Sequence, residues 1–295
     1  MIQTNNVNLL LDCKNNLGEG PVWDYTKQEL TWVDFDKGKI FKYNPSSGQH
    51  SFISVKGRVM VSVPTDKGNM IMAIDKKIKI VNPVCNSILK EIYTDSDYQN
   101  NRLNDGKCDA LGRLWIGTMN NNGKLPEGNL YKINPDLSSE IMDNNFTIPN
   151  GIAWNKDNSK MYMVDSALRV IYQYDFNLQN GKISNKKILI ETDPALGLPD
   201  GMSIDTDGNL WIAFWKGKCI GCVDSHTGKL LKKIKTPCAV PTSCCFGGEN
   251  LSTLFITSSR KYDTKNNIKK NPSSGGLFFL DTNVNGYKAN FFKEC

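Results

Sequence analysis

The sequence predicts an all-β fold on three observations. Apolar runs stay short, roughly four to seven residues, and are punctuated by Gly, Asn, Asp and Pro, as in many short strands joined by turns. Few windows keep the 3.6-residue period of an amphipathic helix. One design also recurs along the chain: a polar residue and Gly, a strand, a turn, then an apolar-aromatic strand.

Taken in order, E-G-P-V-W-D (19–24) leads to L-T-W-V-D (30–34), and D-G (105–106) leads to L-W-I (114–116). N-G-I-A-W (150–154) leads to M-Y-M-V-D (161–165), and D-G-M-S-I-D (200–205) leads to L-W-I-A (210–213). Two copies lack the polar-Gly step: V-M-V-S-V (59–63) before M-I-M-A (70–73), and T-S-C-C-F (242–246) before L-F-I-T (254–257). A third segment follows each copy and tends to end on Asn or Asp, from I-F-K-Y-N-P (40–45) to L-F-F-L-D-T (277–282). A more polar fourth comes after it, from H-S-F-I-S (50–54) to Y-K-A-N-F-F (287–292).

Six copies of a four-strand meander at a period of roughly 40–50 residues predict a six-bladed β-propeller with four-stranded antiparallel blades. The whole chain, residues 1–295, is read as this one domain. The second strand of each copy is apolar on both faces, as a strand between neighbouring blades should be. The fourth is rich in lysine, as an outer edge should be. Residues 7–12 precede the first blade and are a candidate to close the ring against the last, with the C-terminal strand as the competitor.

Composition narrows the function classes. Hydrophobic residues make up 39% and charged residues 22%, which indicates neither disorder nor a membrane protein. The net charge of +6 is scattered rather than gathered into a stripe, which argues against a nucleic-acid partner. No apolar run is long enough for a membrane span, and the first twelve residues lack the basic start of a signal peptide. Nine cysteines, an odd number without repeated spacing, fit reduced thiols better than a disulfide framework. The expectation is a cytoplasmic protein, monomeric or weakly oligomeric, with a small-molecule partner.

In a propeller the first strand of each blade lines the central channel. The residues just before Gly are Glu19, Asp105, Asn150 and Asp200, so four blades place carboxylates and an amide at one height around the axis. A polar residue before Gly is ordinarily turn chemistry. Four at one register of a repeat favour a shared site instead. Like charges repel at close range, and a divalent cation resolves the convergence; oxygen ligands favour Ca2+, Mg2+ or Mn2+ over a cysteine-histidine zinc site. The two histidines, His50 and His226, sit in outer-strand or turn contexts.

Arg102 and Asn104 stand on the same entrance as Asp105, where a guanidinium could hold an anionic or polyhydroxylated ligand or pair with a carboxylate. Trp23 and Trp154 read as packing between blades. The C-x-x-C at Cys219 and Cys222 spans a strand, without the helix or second ligand pair that redox or zinc chemistry needs. No G-x-S-x-G, P-loop or G-x-G-x-x-G occurs.

Five ordered motifs, G-E-G-P-V-W-D (18–24), N-R-L-N-D-G-K-C-D (101–109), I-P-N-G-I-A-W (148–154), L-P-D-G-M-S-I-D-x-x-G-N-L-W (198–211) and T-S-C-C-F-G-G (242–248), resemble the SMP-30/gluconolactonase/LRE family. The likeness runs from Leu17 to about Thr257. It implies a propeller that holds one divalent cation, Ca2+ foremost with Zn2+, Mg2+ or Mn2+ as alternatives, and hydrolyses sugar lactones. By motif, Glu19, Asn150 and Asp200 would be the metal ligands, Arg102 and Asn104 would contact substrate, and Asp105 would stand behind the ligands. The family also uses a Glu from the loop after G-T-M. Here that loop (120–128) is short and carries Glu127, the candidate for that substrate contact, nearer the next strand. The expected mechanism is attack by a metal-activated water with Asp200 as general base. The alternatives are a luciferin-regenerating or organophosphate-hydrolase type of enzyme, a non-catalytic calcium-binding regulator, or an interaction propeller using its rim.

Overall fold

A computed structural model of the chain describes residues 6–93 and 100–295. Among them, strands form six four-stranded antiparallel sheets, the six blades predicted. Blades 1 to 5 are simple meanders within residues 18–54, 59–93, 101–146, 149–191 and 198–235, each with its first strand innermost.

Burial follows position in the blade. Every residue of the second strands Met70–Ile74 and Leu114–Asn120 is buried, because neighbouring blades cover both faces. The outer strand Leu230–Lys235 is exposed at every position but Ile234. Aromatic rings join the blades: Trp23 stacks on Phe255 at 5.6 Å, and Trp115 meets Trp154 edge-on at 6.3 Å. Both tryptophans singled out in the sequence therefore pack between blades.

Blade 6 closes the ring in one of the two anticipated ways. Its order from the outside is Asn8–Leu11, Leu277–Asp281, Thr253–Ser258 and Pro241–Gly247, with Asn8 opposite Phe279. The expectation that Y-K-A-N-F-F (287–292) forms its fourth strand is corrected. The N-terminal strand already occupies that edge, and residues 286–294 form a strap beneath the propeller. Gly286 bridges Asp205, Asn290 donates to the carbonyl of Cys108 at 3.2 Å, and Phe292 bridges Thr65 with its side chain fully buried. The strap thus satisfies its backbone on turn groups of several blades rather than on one strand.

Aspartates fix the segments that lead into the channel. Asp34, at the end of the second strand of blade 1, accepts the N–H of Asn16 at 2.9 Å, just before Glu19. Asp165 does the same in blade 4, accepting the N–H of Thr147 at 2.8 Å ahead of Asn150. In blades 3 and 5, Asp109 and Asp205 each accept the indole N–H of the following tryptophan, Trp115 and Trp211, at 2.8 Å.

Candidate metal centre and active site

Every polar-Gly step is a break in strand register. The inner strands slip between Glu19 and Val22, Leu103 and Gly106, Pro149 and Ile152, and Pro199 and Met202. A bulge leaves residues without a ladder partner and re-aims their side chains. Here it frees Glu19, Asn104, Asp105, Asn150 and Asp200 to turn toward the axis. Glycine is needed because the inner strands nearly touch. A Cβ on Gly151 would lie 2.6 Å from the carbonyl oxygen of Asp200, and one on Gly201 would lie 2.1 Å from the Ser243 hydroxyl.

The structure brings the predicted ligands together. Asn150 donates from Nδ2 to Asp200 Oδ1 in a very short contact, and to Ser166 Oγ at 3.1 Å. Glu19, Asp105 and Asp200 feel one another's charge. Burial pushes the Glu19 carboxyl well above its ordinary range, and Asp200 and Asp105 push it further. Burial and the charge of Asp105 do the same to Asp200. Burial raises Asp105, opposed by Lys107 and by its bond to the N–H of Gly106 at 2.8 Å. Among the described residues no lysine or arginine forms an ion pair with any of the three.

This chemistry fits a divalent cation: hard oxygen donors, mutual repulsion, and a burial cost that a bound positive charge offsets. No three of His, Cys, Asp or Glu among the described residues form a ready-made cluster. The candidate set therefore depends on the Asn150 amide as well as on carboxylates.

Above these groups the mouth is cationic and aromatic. Arg102 donates to the carbonyl of Leu103 at 2.9 Å and to Asn104 Oδ1 at 2.7 Å, while its Cζ lies 4.9 Å from the Phe35 ring centroid. Burial and nearby Arg58 bring its pKa down to about 10, so it stays charged at neutral pH. Asn104 donates to the carbonyl of Pro149 at 2.8 Å. Arg58 lies 5.9 Å from Phe35 and pairs with Asp75 at 3.1 Å, and Lys261 pairs with Asp36 at 2.9 Å beside Tyr262.

Two cavities occupy the channel. The smaller, about 30 Å³, lies at the candidate site against Glu19, Asn104, Asp105, Asn150 and Phe35. The larger, about 430 Å³, lies on the strap side against Lys107, Met202, Cys244, Phe246 and Tyr287. Volume alone would point to the second, but Glu19, Asn150 and Asp105 line the first, while Asp200 lines neither. Asp105 lines both.

Glu127, expected to contact substrate, lines neither cavity. Its carboxylate accepts from Asn120 Nδ2 at 2.6 Å and its carbonyl from Asn101 Nδ2 at 2.8 Å. His50 and His226 are exposed, away from the channel, and Cys219 and Cys222 lie buried in one strand of blade 5. Sequence reasoning missed Phe35, Arg58 and Tyr262, because the mouth is assembled from loops of different blades. It also passed over Lys107, whose Nζ donates to the carbonyl of Met202 on the inner strand of blade 5 at 2.8 Å.

Comparison with known proteins gives the family of this six-bladed ring. Residues 17–260 match the SMP-30/Gluconolactonase/LRE-like region, and the chain belongs to that family. It is 36% identical over 250 residues to an uncharacterized protein of Sulfolobus acidocaldarius, covering 84% of this chain and 89% of that one. It is 31% identical over 277 residues to the Bacillus subtilis protein YvrE, which is named provisionally as a sugar lactone lactonase, covering 94% and 95%. Zebrafish (Danio rerio) regucalcin is 33% identical over 267 residues, with 90% of each chain covered. Among solved structures, a luciferin-regenerating enzyme superposes with a TM-score of 0.89 at 32% identity, covering 98% of this chain and 99% of that one.

Proposed function

We propose that the protein is a divalent-metal-dependent lactonase acting on sugar lactones. The observation that carries this reading is the convergence of Glu19, Asn150 and Asp200 at one level of the channel, beneath the donors of Arg102 and Asn104. Family membership supports the reaction class, and the hard-oxygen donor set supports Ca2+ as the first candidate, with Mg2+, Mn2+ and Zn2+ as alternatives. A cation held by Glu19, Asn150 and Asp200 would polarise the lactone carbonyl and acidify a neighbouring water.

The chain's own residues do the rest. Arg102 and Asn104 orient the ring hydroxyls, with Phe35 holding the guanidinium plane in place. Asp200 takes a proton from the attacking water as its oxygen adds to the carbonyl carbon. As the ring ester C–O bond breaks, that proton is available to the departing oxygen, giving the open hydroxy acid. Asp105 stands behind the ligands and adds negative charge that favours a cation. Glu127, held by Asn120, reaches substrate only if that bond is released.

The test is D-gluconolactone hydrolysis after chelation, with Ca2+, Zn2+, Mg2+ or Mn2+ added back singly. Turnover lost on chelation and restored by an ion supports the proposal; turnover indifferent to chelator sinks the metal dependence. Cation binding with no hydrolysis of any lactone would favour a calcium-binding regulator, and a wider substrate panel separates luciferin-regenerating or organophosphate-hydrolase activity.

A further inference from the structure

Two arginines meet at one aromatic ring in the mouth. The Arg102 Cζ lies 4.9 Å from the Phe35 centroid, and the Arg58 Cζ lies 5.9 Å from it. Backbone bonds fix this meeting across three blades. Val59 donates to the carbonyl of Phe35 at 3.2 Å, Asp75 to that of Arg58 at 3.0 Å, and Leu103 to that of Asp75 at 3.2 Å. Each arginine directly precedes one of the donors, Val59 or Leu103, so both enter the mouth from held positions.

Their donors are only partly used. Among the described residues no carboxylate lies within ion-pair distance of Arg102, although Glu19 feels its charge. Its hydrogen bonds to described residues leave from Nη1 alone, to two neutral oxygens. Arg58 gives Nε to Asp75 at 3.1 Å, and the two side chains are 42% and 47% exposed. So exposed a pair is weak and is readily shared with a second anion. Lys261, by contrast, is taken up by Asp36 at 2.9 Å. Two planar forks with unused N–H groups suit a phosphate or a carboxylate.

The position suits substrate as well. Phe35 lines the cavity at the candidate site, whose volume of about 30 Å³ is of the order of a water molecule. The body of a lactone bound there must extend past Phe35 into the mouth, where the arginines stand. We propose that the preferred substrate is a sugar lactone with an anionic substituent, a phosphate or a carboxylate, and that Arg58 selects it together with Arg102. The inference rests on the lactonase reading above.

The experiment offers the full-length protein D-glucono-1,5-lactone, its 6-phosphate and D-glucaro-1,4-lactone, with the cation that restores turnover. At least one anionic lactone exceeds the neutral one in kcat/KM by about tenfold, the worth of one charge-assisted hydrogen bond; which one tells phosphate from carboxylate. Arg58→Met lowers that ratio by a similar factor, Arg58→Lys restores part of it, and Asp75→Asn, which frees Arg58, raises it. Arg58→Gln serves if the Met variant does not fold, as judged by circular dichroism. A neutral lactone used as well as both anionic ones, or a ratio unmoved by the neutral variants, overturns the anion subsite and leaves the lactonase reading standing. If no lactone is hydrolysed, that reading fails and binding decides the subsite. Calorimetry with Ca2+ present then compares 1,5-anhydroglucitol with its 6-phosphate, which have no ester to cleave. Equal affinities overturn the subsite; tighter phosphate binding that Arg58→Met abolishes upholds it.

Discussion

Asn104 gives its amide hydrogen to the carbonyl of Pro149 at 2.8 Å, so blade 3 grips blade 4 at the residue next to Asn150. The same side chain accepts from Arg102, and one amide therefore couples the mouth to the ligand set. Asn104→Ala should cost about 1 kcal/mol of stability, the usual net worth of a hydrogen bond. It should also weaken both lactone turnover and cation affinity. A variant with unchanged cation affinity by calorimetry would show that the coupling is absent.

Asp200→Asn should keep the fold, since the amide nearly matches the carboxylate in volume. Lactone hydrolysis should fall by about 10²–10⁴, the range expected when a general base is lost. Circular dichroism and steady-state kinetics on the same preparation check both parts; near-normal turnover would remove Asp200 from its assigned role.

The carboxylates also set a pH dependence. Glu19 and Asp200 are raised above their ordinary range by burial and by neighbouring carboxylates, Asp200 and Asp105 acting on Glu19 and Asp105 on Asp200, so the folded state holds their protons at pH values where the unfolded chain has released them. The metal-free protein then binds more protons folded than unfolded, and its stability falls as pH rises through that window. Chelated protein should unfold at a lower temperature near pH 8 than near pH 5, and an added divalent cation should raise the midpoint more at the higher pH. Thermal unfolding at the two values, with and without Ca2+, decides it. A chelated protein that gains stability toward the higher pH would contradict the buried-carboxylate picture.

Gly201→Ala puts a methyl group 2.1 Å from the Ser243 hydroxyl and 2.8 Å from the Ser243 backbone. The strands must part, at a cost of about 1–3 kcal/mol. Because the displaced strand carries Asp200, the stabilisation gained on adding a cation should shrink as well. A loss of stability with an unaltered cation response would place the strain elsewhere.

Much of this was legible in the chain because a propeller repeats itself. The polar-Gly steps at Glu19, Asn150 and Asp200 are local signals, and each coincides with a register break that aims the side chain inward. Y-K-A-N-F-F misled for the converse reason. Its composition suits an edge strand, but whether that edge is free depends on Asn8–Leu11 at the other end of the chain. The mouth was hidden in the same way: Phe35, Arg58 and Arg102 meet only after three blades are in place.

Phe292 shows how firmly the strap is held. It is fully buried among side chains of blades 1 to 3, although it lies only three residues from the C-terminus. Phe292→Ala should cost about 3–5 kcal/mol, measurable by denaturant unfolding; a loss below 1 kcal/mol would mean the strap is dispensable.

Ring closure bears on the order of assembly at the ribosome. Asn8–Leu11 leaves the tunnel before any blade, yet its pairing partner, Leu277–Asp281, follows every other strand among the described residues. Until then blade 6 cannot be completed, and the opening strand waits with its hydrogen-bonding edge unused. Blades 1 to 5 can form as they emerge, but the closed ring, and with it a fixed spacing around the axis, has to wait for Leu277–Asp281.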